Sequence, residues 1–188
     1  MTAVRVAVLA SGGGTNLQAL LDAFTGSPLA RMARVITNRP DAGAVDRARR
    51  AGVPTTLLRD PNDPAELLTA LGDAQLVVLA GYLKLVPASV VARFRGRMIN
   101  IHPALLPDFG GPGMYGHRVH EAVLASGAKE SGVTVHFVDE AFDRGAIIAQ
   151  MRVPVERGDT PDTLAARVLE AEHRLLPKVV LDLAARIR

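Results

Sequence analysis

Cysteine and tryptophan are both absent from the 188-residue sequence, and aromatic residues account for only 4% of it. The lack of cysteine excludes disulfides, thiolate catalysis and cysteine-ligated metal sites. No run reaches the roughly 18 uncharged apolar residues that a membrane-spanning helix needs. The first residues also lack the charged segment and the long apolar run of a secretory signal. We therefore expect a cytoplasmic protein with no membrane partner.

Charge is nearly balanced, with 22 Lys and Arg residues against 19 Asp and Glu residues. The basic residues are spread along the chain, so no patch for nucleic acid is evident. The length suits one domain with a substantial core, and no linker or repeat interrupts it. We expect a single domain over residues 1–188, a monomer or homodimer, that acts on small-molecule substrates.

Short apolar runs alternate with helical patterns in the first half of the sequence. Strands are predicted at 4–10, 33–37, 55–58, 76–80 and 98–102, and helical patterns lie between them. This alternation indicates an α/β fold, a Rossmann-like, doubly wound and mostly parallel sheet. An alternating pattern at 132–139 and another at 147–155 predict late antiparallel strands, and a final helix is predicted from about Pro161.

A glycine-rich turn, Ser-Gly-Gly-Gly-Thr-Asn at residues 11–16, joins the first predicted strand to the first helix. Backbone N–H groups and the helix dipole make such a turn suitable for an anion. A dinucleotide fingerprint would need a third glycine at Leu17 and an acidic residue after the second strand, where the sequence has Thr37-Asn38-Arg39. The turn therefore favours a phosphate over a dinucleotide, although a turn without any ligand would also fit.

Asn100 and His102 lie on one face at the carboxyl end of the fifth predicted strand, where open α/β sheets bind ligands. An amide donor beside an imidazole can stabilise an oxyanion and move a proton. A buried structural histidine explains the pattern equally well. Asp143 precedes a glycine in a turn between the late strands, a common turn position. Its carboxylate could also raise the pKa of a nearby histidine.

The remaining histidines do not predict a metal site. His117 and His120 lie three residues apart on a predicted helix, but no third ligand is visible nearby, and zinc needs at least three. His136 is interpreted as packed in a strand or as supporting the site from behind. His173 follows Glu172 on the last helix.

Five segments together resemble the phosphoribosylglycinamide formyltransferase family, with matching order and spacing over nearly the whole chain. They are residues 10–18, 78–82, 100–107, 134–143 and 171–173. The resemblance implies transfer of the formyl group of 10-formyltetrahydrofolate, a co-substrate, to the amine of glycinamide ribonucleotide in purine biosynthesis. It implies no metal.

The resemblance also implies roles for individual residues. Asn100 and protonated His102 would stabilise the oxyanion of the tetrahedral intermediate, and Asp143 would hold the imidazole charged. Glu172 would contact the amino end of glycinamide ribonucleotide. The residues expected around the phosphate of that substrate are Gly13, Gly14, Thr15 and Asn16. The residues expected to contact the folate are Leu83, Lys84, Leu85, Val86, Asn100, Val138 and Glu140.

Two loops depart from the family pattern. Residues 108–116 form a longer version of a Pro-Gly loop that precedes a His-Arg pair, here His117-Arg118. Some members also carry an arginine near the folate after the third strand, where this chain has Asp-Pro-Asn-Asp-Pro at 60–64. Substrate contacts from these two loops are therefore not carried over.

Three other functions compete with this interpretation. Formyltetrahydrofolate deformylase would deliver the formyl group to water, but usually has a second histidine where this chain has Pro103. Methionyl-tRNA formyltransferase shares the Asn-x-His-Pro element but lacks the Gly-Gly-Gly-Thr-Asn turn. Both usually carry a further domain, which a length of 188 residues does not favour. A non-catalytic nucleotide sensor would keep the glycine turn and leave Asn100, His102 and Asp143 unexplained.

Overall fold

A seven-stranded sheet runs through residues 2–187, the part of the chain that this computed structural model describes. Its strand order is β3-β2-β1-β4-β5-β6-β7. The strands are β1 (Val4–Leu9), β2 (Ala30–Thr37), β3 (Thr55–Leu57), β4 (Leu76–Leu79), β5 (Met98–His102), β6 (Glu130–Phe137) and β7 (Ile147–Pro154). Strands β1 to β5 are parallel, and β6 and β7 are antiparallel. The predicted fold class is thereby confirmed.

Six helices cover the two faces of this sheet. They are α1 (Thr15–Phe24), α2 (Gly43–Arg50), α3 (Pro64–Leu71), α4 (Ala88–Arg93), α5 (His117–Ala125) and α6 (Pro161–Ile187). One buried cluster joins Val6 and Val8 of β1 to residues of α1, α2, α5 and α6. The other joins Ala7 and Leu9 of β1 to residues of α3 and α4. Because β1 is buried on both faces from Val6 onward, residues 6–9 are continuously apolar rather than alternating.

The predicted elements differ from the structure mainly at their ends. Strand β2 begins at Ala30, earlier than predicted, because Arg31 and Met32 pair with Arg5 and Val6 of β1. Strand β6 covers residues 130–137 rather than 132–139, and its predicted alternation is wrong, since residues 131–136 are all buried. The strand lies between β5 and β7, so its polar side chains face the protein interior.

The order in which strands are added to the sheet reverses between β1 and β4, although the two strands are parallel. From β1 the sheet extends outward through β2 and β3, and it then resumes on the other side of β1 with β4 and β5. In open α/β sheets the crevice at such a reversal is the usual place for a ligand. Here it brings the glycine turn next to the segment after β4, because Ser11 N donates to Gly81 O at 3.0 Å and Leu83 N donates to Ser11 Oγ at 3.2 Å.

The glycine turn packs tightly against the start of α2. Gly14 has a positive φ of 74°, and a Cβ at this position would lie 2.7 Å from Ala44 Cα. At Gly12 and Gly13, by contrast, a Cβ would meet no atom within 4 Å. Gly14 is therefore required by the fold itself, whereas Gly12 and Gly13 leave open space in front of the turn.

Within residues 2–187, no helix is both long and apolar enough to cross a membrane.

Gly14→Ala should destabilise the protein by about 1–3 kcal/mol, because it combines a strained φ with a clash against α2. Urea unfolding of both proteins measures this difference. Gly12→Ala is the matched control and should change the free energy of unfolding by less than about 1 kcal/mol, since its Cβ points into open space. Equal stabilities for the two variants would contradict the close contact between the turn and α2.

Candidate functional site

A cavity of about 530 Å³ lies at the carboxyl ends of β4 and β5, between the crevice and α6. It brings together most of the predicted site residues. Those in its wall are Asn16, Leu83, Lys84, Leu85, Val86, Asn100, His102, Val138, Asp143 and Glu172. Four predicted residues, Gly13, Gly14, Thr15 and Glu140, are not in the wall. Glu140 is exposed, while the other three precede Asn16 in the glycine turn.

Asp143 is the centre of the polar part of this cavity. Its Oδ2 lies 3.5 Å from His102 Nδ1 and accepts a hydrogen bond of 3.0 Å from Gly111 N. Its Oδ1 accepts from Asn100 Nδ2 at 3.3 Å. Burial acts to raise the pKa of Asp143, but His136, His102 and the Gly111 N–H together lower it, so the carboxylate is ionised. The histidines near Asp143, which its position in the sequence does not identify, are therefore His102 and His136, each 3.5 Å from the carboxylate.

His102 is buried, and a hydrogen bond holds one of its ring nitrogens. Nε2 lies 2.8 Å from the carbonyl oxygen of Phe109 and donates to it, which leaves Nδ1 facing the Asp143 carboxylate. Burial lowers the pKa of His102, and the nearby Asp143 raises it by a smaller amount. The pKa thus lies below the ordinary value of 6.5. The imidazolium form is therefore the minor form near pH 7 when the cavity holds no ligand.

His136 belongs to the same hydrogen-bond network, which the sequence interpretation did not recognise. Its Nδ1 donates to Phe137 O at 2.8 Å, so its Nε2 can accept from Asn100 Nδ2 at 3.1 Å. The amide nitrogen of Asn100 therefore uses both hydrogens, one on His136 and one on Asp143. The antiparallel register that pairs Asn100 with His136 is the signal that would have identified this contact.

Glu172 links the glycine turn to the cavity. Its Oε2 accepts a hydrogen bond of 2.9 Å from Asn16 Nδ2, although the two residues are 156 positions apart in the sequence. The side chain is only 7% exposed, and burial raises its pKa to about 7. Near neutral pH the carboxyl is therefore partly protonated, and a cationic ligand would favour its ionised form.

The mouth of the cavity is apolar. Six large hydrophobic side chains are exposed within residues 2–187, and four of them line this cavity: Leu83, Leu85, Tyr115 and Phe142. Exposed apolar side chains around a pocket are typical of a surface that a flat apolar ligand covers.

The loop at 108–116, whose contribution the sequence left open, touches the polar centre through its main chain. Phe109 O accepts from His102, and Gly111 N donates to Asp143. Phe109 has a φ of 55° and Asp143 a φ of 57°, and these are the two non-glycine residues with positive φ among residues 2–187. Such strained backbone is concentrated at functional sites. Because the contacts are made by main-chain atoms, no side-chain pattern could reveal them.

His117 and His120 both line the cavity, but neither belongs to a metal-binding cluster. His117 Nε2 instead lies 3.0 Å from Asp162 of α6. Across residues 2–187 no three His, Cys, Asp or Glu side chains are grouped closely enough to hold a metal ion.

Comparisons with known proteins agree on one family. Residues 4–180 match the family described as Formyl transferase. A phosphoribosylglycinamide formyltransferase of Haemophilus influenzae is 38% identical over 94% of this chain and 85% of its own length. A chloroplastic protein of the same name from Arabidopsis thaliana is 46% identical over 94% of this chain, which spans 64% of that relative. A crystal structure of phosphoribosylglycinamide formyltransferase from Anaplasma phagocytophilum superposes with a TM-score of 0.90 at 39% identity, covering 98% of this chain and 89% of that one.

Asp143→Asn should lower the pKa of His102 further, because it removes the negative charge that raises this pKa. Titration of the His102 ring by NMR in both proteins measures the change. Asp139→Asn is the control, since Asp139 also lines the cavity but its carboxylate accepts from Ala141 N. An unchanged His102 pKa in Asp143→Asn would show that the 3.5 Å approach has no electrostatic effect.

Relative to wild type, Glu172→Gln should raise the free energy of unfolding more at pH 8 than at pH 4. The folded pKa is about 7 and the ordinary value is 4.5, so wild-type stability falls as the pH rises between these values. The wild-type protein loses about 3 kcal/mol of unfolding free energy over this pH range, and a neutral glutamine at position 172 removes this loss. Urea unfolding at both pH values tests this, with the exposed neighbour Glu170→Gln as the control. A pH-independent difference between Glu172→Gln and wild type would contradict the raised pKa.

Proposed function

The chain belongs to the formyl transferase family and, within it, to the phosphoribosylglycinamide formyltransferases, and from this premise we propose that it transfers the formyl group of 10-formyltetrahydrofolate to the amine of glycinamide ribonucleotide. This reaction is a step of purine biosynthesis. The observation that carries the proposal is the arrangement of Asn100, His102 and Asp143 in one cavity, which the Asn16–Glu172 hydrogen bond joins to the glycine turn.

Asn100 and His102 are proposed to act on the formyl oxygen. When the neutral amine attacks, a bond forms between its nitrogen and the formyl carbon, and the formyl oxygen becomes an oxyanion. Asp143 and His136 accept the two amide hydrogens of Asn100. We infer that Asn100 exchanges one of these bonds for the oxyanion. A preorganised donor of this kind contributes about 2.7–4 kcal/mol to lowering the barrier.

Asp143 is proposed to stabilise the charged form of His102 and to assist the proton transfers. Collapse of the intermediate breaks the bond from the formyl carbon to N10, while the amine nitrogen loses a proton and N10 gains one. Because the pKa of His102 is low in the ligand-free site, its imidazolium form depends on the negative charges nearby, namely the Asp143 carboxylate and the developing oxyanion. A water molecule between the groups would complete the relay.

The two substrates are proposed to enter the cavity from different sides. The phosphate of glycinamide ribonucleotide would bind at the turn formed by Gly13, Gly14, Thr15 and Asn16, with Glu172 at its amino end. The folate would lie against Leu83, Lys84, Leu85, Val86, Asn100 and Val138, where the exposed apolar side chains supply a surface for its flat rings. A contact from Glu140 stays a prediction, since this side chain is exposed and outside the cavity wall.

The proposal concerns an enzyme that acts on small molecules. We propose that residues 1–188 form one domain, which the single continuous sheet supports. The cytoplasmic location and the monomeric or homodimeric state stay predictions, and the Arabidopsis thaliana relative carries the word chloroplastic in its name.

The protein should transfer the formyl group of 10-formyltetrahydrofolate to glycinamide ribonucleotide, and His102→Ala should lower kcat by roughly 10²- to 10⁴-fold. The KM for glycinamide ribonucleotide should change little, because His102 lies away from the glycine turn. Steady-state kinetics with separate detection of formylated product and formate measures both constants.

His117→Asn serves as the control, since it alters an exposed histidine of the same cavity. Release of formate without formylated product would instead indicate a hydrolase. Formylation of an aminoacyl-tRNA in preference to glycinamide ribonucleotide would indicate a methionyl-tRNA formyltransferase. Wild-type turnover in a folded His102→Ala protein would remove His102 from the catalytic set.

A further inference from the structure

A second cavity, of about 480 Å³, lies beside the glycine turn. Asn16 and Glu172 face the first cavity, while their sequence neighbours Thr15 and His173 line the second. The remaining residues of its wall come from α1, α2 and α6, and they are Gln18, Ala19, Asp22, Ala23, Arg47 and Pro177. The second cavity thus adjoins the first residue of α1, where helical N–H groups have no partner within the helix.

Arg47 of α2 is fixed against the glycine turn by two hydrogen bonds to neutral groups. Its Nε donates to Gly13 O at 2.8 Å, and its Nη1 donates to Gln18 Oε1 at 3.3 Å. Among residues 2–187 it makes no salt bridge, whereas Arg49 of the same helix pairs with Asp46 at 3.0 Å. Arg47 is half-buried, so the structure holds an un-neutralised charge in a fixed position beside the turn.

His173 shows that the charge of Arg47 acts on this cavity. Burial, and then the charge of Arg47, lower the pKa of His173. Its Nε2 is buried and has no hydrogen-bond partner among the described residues. The only carboxylate in the wall, Asp22, lies seven residues beyond Thr15 on α1, about 10 Å along the helix, and accepts from Gln18 Nε2. The end of the cavity at Thr15 is therefore the end that favours an anion.

We propose that Arg47 is a substrate-binding residue that gives the glycine turn its specificity for a phosphate dianion, with His173 beside it. The inference rests on the proposed function and adds to it the cation that the turn itself lacks. Backbone N–H groups alone would accept many anions and polar groups. A fixed guanidinium favours a doubly charged phosphate and leaves its second terminal nitrogen for a further phosphate oxygen.

Arg47→Gln should raise the KM for glycinamide ribonucleotide by roughly 10- to 100-fold, the range for loss of a hydrogen bond to a charged group. The kcat should stay within about threefold and the KM for the folate should not change, because Arg47 contacts neither the reacting atoms nor the first cavity. Arg47→Lys should give an intermediate KM, since it keeps the charge but loses the two-pronged geometry. Arg49→Gln is the matched control, and its KM should stay within about twofold of wild type.

A second measurement uses wild-type protein and ribose 5-phosphate as the probe, with ribose as its uncharged counterpart. Ribose 5-phosphate should shift the NMR signals of the Arg47 Nε–H and the His173 ring, and ribose should not. This result needs no formyl transfer, so it separates a failure of the subsite from a failure of the proposed function. The NMR measurement uses wild-type protein, so it tests the proposal even if Arg47→Gln does not fold. A KM for Arg47→Gln equal to that of Arg49→Gln, or unshifted Arg47 and His173 signals at saturating ribose 5-phosphate, would overturn the proposal.

Discussion

The ionised carboxylate of Asp143 is the interaction on which the polar part of the site depends. It accepts hydrogen bonds from Asn100 and from the main chain of the 108–116 loop, and it faces a nitrogen of His102 and a nitrogen of His136. Without this charge, the donors Asn100 Nδ2 of β5 and Gly111 N of the 108–116 loop would lose their common partner. The strained φ of Asp143 is consistent with a position that the surrounding structure imposes.

The reversal of strand order between β1 and β4 is the constraint that places the two regions proposed to bind substrates. The glycine turn follows β1, the apolar segment of 82–86 follows β4, and Asn100 and His102 end the adjacent strand β5. Three neighbouring strands of the sheet thus bring the proposed anion site, an apolar surface and the proposed proton-transfer groups to one crevice. Helix α2 packs against the glycine turn. Its contact with the turn requires glycine at position 14, and it places Arg47 beside the turn.

Sequence patterns predicted the fold well because periodicity and turn residues determine where helices and strands begin. Strand β5 has the bounds that its pattern indicates, residues 98–102. The site was predicted in part, since the strand-end position of Asn100 and His102 follows from alternation alone. The place of His136 depends on antiparallel register, and the contacts of Phe109 and Gly111 are made by main-chain atoms. The spacing of residue types in the sequence predicts neither the place of His136 nor these main-chain contacts. It does not predict the contact between Gly14 and Ala44 either.

The hydrogen bond between Asn16 and Glu172 closes a loop of 156 residues, and this has a consequence for the order of assembly. The glycine turn lies between β1 and α1, whereas Glu172 lies in α6. Contacts this distant form late, because the chain must first lose the entropy of the intervening loop. The parallel sheet can therefore form before the hydrogen bond between Asn16 and Glu172 exists. The link between the glycine turn and the first cavity is then completed only when α6 has packed against α1.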